Sequence, residues 1–94
     1  MIAVIIGVRA VSPDAVTEIC RLLAHAVARN QTPGWIHGRC LVDTHDRRLV
    51  LDYEEWTSQN AWEAWFNSGA RLNLTLNTAP FREGDLQIQV YEEV

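Results

Sequence analysis

The chain is poor in the residues that cross-link proteins, hold metals or meet nucleic acid. Its 94 residues include two Cys, one Met, three Pro and three His. No stretch approaches the roughly 20 apolar residues of a membrane-spanning helix. Eight Lys and Arg stand against twelve Asp and Glu, a formal net charge of -4. That balance leaves no basic footprint for nucleic acid and no polybasic stretch for an anionic membrane. His25, His37 and His45 are scattered and share no ligand spacing with carboxylates, so no metal site is expected. No glycine-rich phosphate loop is present. The apolar start, Met1 to Val8, lacks a basic flank and a small-residue cleavage site, and Arg9 interrupts it. This argues against a signal peptide and for a cytoplasmic protein. Cys20 and Cys40 both fall in apolar sets and are expected as reduced core thiols.

What the chain does have is periodicity, enough for a single domain over residues 1-94. Residues 2–11 read as a strand with Ile2, Val4, Ile6 and Val8 on one face and Ala3, Ile5 and Val11 on the other. A strand apolar on both faces belongs in the middle of its sheet. Ser12-Pro13-Asp14 is a helix start. Val16, Ile19, Cys20, Leu23, Ala26 and Val27 follow at helical spacing, with Glu18, Arg21, His25 and Arg29 on the polar side. Residues 35–43 and 48–56 alternate as two strands of a hairpin. Thr57-Ser58 begins a second helix, which carries Ala61, Trp62, Trp65 and Phe66 inward, and Asn67-Ser68-Gly69 interrupts it. Residues 70–79 fit strand or helix on local pattern. Residues 85–94 form a last strand.

The order is βαββαβ, an α+β fold of ferredoxin-like type. Right-handed crossovers give a four-stranded antiparallel sheet with helices on one face, its first and third strands central. A four-residue loop at 44–47 would set Arg39 opposite Asp52, His37 opposite Glu54 and Asp43 opposite Arg48, all opposite-sign pairs. The sheet face without helices still carries large side chains. Soluble monomers rarely expose such a patch, so a homodimer through that face is expected.

Several residues resemble one family. Pro33-Gly34-Trp35 opens a strand, Glu54-Glu55-Trp56 closes its partner, Ser58-Gln59-Asn60-Ala61 begins a helix and Trp65-Phe66-Asn67-Ser68 ends it. The pattern resembles the antibiotic biosynthesis monooxygenase superfamily, whose members form dimeric α+β barrels. The resemblance implies helix at residues 70–79. It also implies cofactor-independent oxygenation of a small planar aromatic or quinone-type molecule, with no metal or flavin. The anthrone oxygenases of that family carry Asn four residues before the strand-end Trp and Tyr six after it; here those positions are Asp52 and Trp62, and an expected helix Arg is Leu76. The haem-degrading branch needs an axial His where this chain has Thr75, and an Asn in the first strand, which has none.

Asp52 and His37 are the candidate catalytic bases, since a carboxylate in an apolar pocket has a raised pKa. Trp56, Trp62, Trp65 and Trp35 are the candidate ring-binding residues, and Arg39 would steady an oxyanion. The same Asp52, Glu54, His37 and Arg39 would also serve as a cross-strand ion-pair ladder, and the four Trp as plain core. The alternatives to catalysis are a non-catalytic dimeric binding protein of this fold and a haem binder.

Overall fold

The computed structural model describes the backbone of residues 1–94 and every side chain but that of Val27. The chain runs β1 (Ile2–Ala10), α1 (Pro13–Ala24), α2 (Val27–Asn30), β2 (Trp35–Val42), β3 (Leu49–Trp56), α3 (Gln59–Phe66), α4 (Gly69–Thr78), a 3-10 turn (Ala79–Phe81) and β4 (Arg82–Glu92). The strands form one antiparallel sheet in the order β2-β3-β1-β4, so β1 and β3 are central. The ambiguous segment is helix α4. Three serines begin the three longer helices: Ser12, Ser58 and Ser68 accept hydrogen bonds from the backbone N–H of Ala15, Ala61 and Arg71. Each satisfies a donor that the first helical turn leaves unpaired.

The first helical region ends earlier than its stripe predicts. The His25 N–H closes α1 on the carbonyls of Arg21 and Leu23, and α2 begins again at Val27. The break resets the helical phase. Arg29, expected on the solvated side, is therefore turned inward and is only 4% exposed. The Val27 side chain, placed in the apolar stripe by its spacing, lies outside the described residues.

The hairpin register also departs from expectation. Arg39 pairs with Tyr53, Cys40 with Asp52, Gly38 with Glu54 and His37 with Glu55. The cause is the turn. Asp43 Oδ1 accepts from the backbone N–H of His45 and Asp46, and the Asp43 N–H reaches the Leu49 carbonyl. This side-chain-bonded turn holds five residues rather than four and slides the strands by one. A bulge between Trp35 and His37 then brings Trp35 onto the face of Gly38 and Cys40. Its indole rests on Gly38, where an added Cβ would lie 2.6 Å from the ring. Gly34, at φ +92°, likewise has no room for a side chain: a Cβ there would lie 2.3 Å from the Ala61 Cβ. Pro33-Gly34-Trp35 thus fixes how β2 meets α3.

The helices cover the face that carries Ile2, Val4, Val8, Val50, Asp52, Glu54 and Trp56, all buried. The apolar core on that face is two clusters. One gathers Val8, Ala10, Ala15, Ile19, Leu23 and Val50. The other gathers Ile2, Val4, Trp56, Trp62 and Trp65. Two partly buried side chains, Ile6 and Leu74, pack against both. Among the described residues no helix is long and apolar enough to cross a membrane.

Cys20 on α1 and Cys40 on β2 are joined as a disulfide, which corrects the expectation of free thiols. Both sit at the edge of the first cluster, where helical and strand periodicity bring their Cα atoms to 5.8 Å. Closing a loop of this length restrains the unfolded chain by about 3 kcal/mol. Thiol titration of the unreduced, denatured protein should find no free thiol, and Cys40→Ser should lower the unfolding free energy by about that amount. Two titratable thiols in freshly isolated protein would contradict the pairing.

Candidate active site

Strand β3 sets the site. Its inward positions are Val50, Asp52, Glu54 and Trp56, so alternation places two carboxylates in succession against the helices. Asp52 and Glu54 are 2% and 1% exposed. Two adjacent buried carboxylates require a cation. Arg29 of α2 supplies it: Nη1 donates to Asp52 Oδ2 at 3.0 Å and to Glu54 Oε2 at 2.8 Å, and Nη2 donates to the Leu23 carbonyl at 2.9 Å. The guanidinium lies 4.5 Å from the Trp35 ring centroid, a cation–π contact out of water. Glu54 Oε1 accepts from Trp56 Nε1–H at 3.0 Å, and Trp56 meets Trp35 edge to face at 5.2 Å. Trp35 and Trp56 therefore back the charged group.

One guanidinium cannot neutralise two carboxylates. The imbalance falls on Asp52. Burial, the neighbouring Glu54 charge and a hydrogen bond to Glu54 push its carboxyl up to about 8, and Arg29 only partly offsets them. At neutral pH Asp52 is chiefly a carboxylic acid.

A cavity of about 40 Å³ opens beside this group, between the two apolar clusters. Its wall includes Asp52, Glu54, Trp65, Leu74, Thr75 and Arg71. Arg71, on α4, is held by Nε donating to the Phe66 carbonyl and Nη1 to Thr75 Oγ1, and its guanidinium lies 4.0 Å from the Phe66 ring centroid. The cavity thus has an acid on the sheet side and a cation on the helix side.

The candidate residues divide between the two sheet faces. Asp52, Trp35, Trp56, Trp62 and Trp65 share the helix side. Of these, Asp52 and Trp65 line the cavity, while Trp62 packs on Phe66 at 5.1 Å. His37 and Arg39 face the other way. His37 Nε2 lies 3.1 Å from Glu55 Oε1, Tyr53 donates to Glu55 Oε2 at 2.8 Å, and Arg39 borders a shallow hollow with Leu41, Tyr53 and Glu55. They are not near Asp52. Sequence reading missed Arg29 and Arg71. For Arg29 a signal existed: once Val50 and Trp56 are placed inward, Asp52 and Glu54 must follow them and need a cation. Arg71 carried none. Among the described residues, no group of three His, Cys, Asp or Glu side chains could hold a metal ion.

A four-stranded antiparallel sheet with helices on one face, and a buried acid beside a cavity between them, defines a small α+β domain of ferredoxin-like type. The model of one family, antibiotic biosynthesis monooxygenase, matches residues 1–74, and the chain belongs to that family. Solved structures share the fold. An antibiotic biosynthesis monooxygenase superposes with a TM-score of 0.79 at 20% identity, over 100% of this chain and 99% of its own. A conserved protein of Methanosarcina mazei gives 0.82 at 15% identity, over 99% and 92%. PA3566 of Pseudomonas aeruginosa gives 0.74 at 21% identity, over 99% and 94%. No curated protein sequence matches the chain.

The raised Asp52 pKa ties stability to pH. The unfolded carboxyl titrates near 3.8 and the folded one near 8, so between these values the unfolded chain binds fewer protons. Stability from this group is therefore full below about pH 4 and is lost as pH rises through 8. Urea unfolding from pH 5 to 8.5 should show wild-type stability declining by up to several kcal/mol, and Asp52→Asn should flatten the slope. An equally steep slope in Asp52→Asn would refute the assignment. Arg29→Met, which strands the buried carboxylates, should cost about 3–5 kcal/mol at pH 8.

Proposed function

We propose that the protein is a cofactor-independent oxygenase of a small planar phenol, quinol or anthrone-like molecule, with Asp52 as its acid-base group. The observation that carries this reading is Asp52 in the cavity wall with its carboxyl pushed up to about 8. A group that titrates near the working pH can take a proton and return it. The substrate supplies the electrons. Deprotonation makes it an electron-rich anion that reduces O2 directly. For an anthrone, the ring CH2 becomes a carbonyl with one oxygen atom, and the other leaves as water with both hydrogens; for a phenol or quinol, a ring CH and the hydroxyl supply those two hydrogens. Arg71, across the cavity, would hold the anionic oxygen, and Trp65 would lie along the ring.

A homodimer completes the reading. The face away from the helices bears Ile5, Leu49, Leu51 and Tyr53, half-buried, with Leu41 exposed. Arg9, Glu83 and Asp85 border its groove of about 470 Å³, a rim of both signs around an apolar centre. A second copy seated sheet to sheet satisfies that pattern. His37 and Arg39 then belong to the interface and not to the chemistry.

Oxygen uptake with an anthrone and a naphthohydroquinone tests the catalytic half. Asp52→Asn should lower kcat at least a hundredfold. No uptake from either substrate, or uptake unchanged in the variant, would leave a binding protein rather than an enzyme. For the dimer, sedimentation should give twice the 10.7 kDa chain mass, and Leu51→Glu should halve it. A monomeric wild type at micromolar concentration would overturn this half.

A further inference from the structure

The inner cavity is too small for the molecule it is asked to hold. At about 40 Å³ it has room for little more than ordered water, whereas a cavity that binds one benzene ring measures about 150 Å³. A second hollow of about 210 Å³ lies just outside, between the end of α1, α2 and α4, and its wall includes Leu22, His25, Ala28, Asn73 and Asn77. Two residues line both spaces: Trp65 and Leu74.

The two are not equivalent as a partition. Trp65 is 4% exposed and belongs to the second apolar cluster, so its ring is fixed. Leu74 is only half-buried. It touches both clusters as a peripheral member, one of the two side chains that bridge the seam between them. A leucine in that position can change rotamer without moving a strand or breaking a hydrogen bond.

We propose that Leu74 is the size-selecting gate of the site. Its swing joins the outer groove to the inner cavity. The joined space accepts a ligand of up to three fused rings: the rings lie in the groove against Trp65, and an acidic hydroxyl reaches Arg71 and Asp52. Leu74, more than any residue of the charged group, then sets how large a ring system enters. The proposal rests on the cavity reading above but not on catalysis.

The test uses 1-naphthol, its binding followed by stopped-flow quenching of tryptophan fluorescence, with the full chain. Leu74→Ala should raise the association rate at least tenfold, and Leu74→Phe should lower it about as much. Leu74→Met keeps the volume while loosening the side chain, so it should also accelerate binding if Leu74→Ala proves too unstable. Leu72→Ala, on the outward side of α4 at 51% exposure, should match wild type. Rates within twofold across the Leu74 variants, or no binding by any of them, would overturn the gate. The two proposals fail separately. Unchanged Leu74 kinetics beside an Asp52-dependent oxygen uptake removes the gate alone. Gated binding without any uptake removes the oxygenase alone.

Discussion

Two carboxylates facing inward from one strand, with a single guanidinium between them, is the constraint on which the rest of the structure turns. β-Strand alternation makes it unavoidable: if Val50 and Trp56 are to be buried, Asp52 and Glu54 are buried with them. The fold answers by bending the first helical region at His25, so that Arg29 enters from α2. Trp35 covers the guanidinium and Trp56 caps Glu54. The surplus negative charge is then removed by a proton on Asp52, because desolvation and the Glu54 charge together outweigh the pull of one Arg.

That arrangement also explains why the core is divided. Apolar residues pack to either side of the charged group and leave a seam over it, bridged by Ile6 and Leu74. A continuous core would be more stable, since replacing buried ion pairs by well-packed apolar groups is often neutral or favourable. A fold that keeps such a group beside a cavity holds a protonated acid away from water, where its hydrogen bonds are strong.

The architecture was legible because its signals are local and repeat. The serine caps, the two-sided apolar strand and the Pro33-Gly34-Trp35 opening each limit the chain independently, and they agree. What failed to read out was phase. A four-residue loop is the sequence expectation because nothing in Thr44-His45-Asp46-Arg47 announces that Asp43 will bond to two amides of the turn. The helical pattern runs on through Arg29 because a one-turn break has no sequence mark as plain as proline. Each error is a shift of a residue or so, yet each moved a functional side chain to the other side of its element. Asp52 and Trp65 stand among the sequence candidates and line the cavity, because chemistry or size forces a position. Arg71 was missed because a half-buried arginine on a short helix looks like any solvated one.

The bulge between Trp35 and His37 makes β2 act as a phase shifter. In a regular strand that kept Ile36, alternation would place Trp35 and His37 on the same side. Such a strand would force a choice between an indole over Arg29 and an imidazole beside Glu55, and whichever surface lost would be left with a hole. The bulged Ile36 removes the conflict, because Trp35 and His37 then pair with neighbouring residues of β3, Trp56 and Glu55. Two otherwise unrelated surfaces of the molecule are thus inherited together, through one inserted residue that itself stands 44% open to solvent.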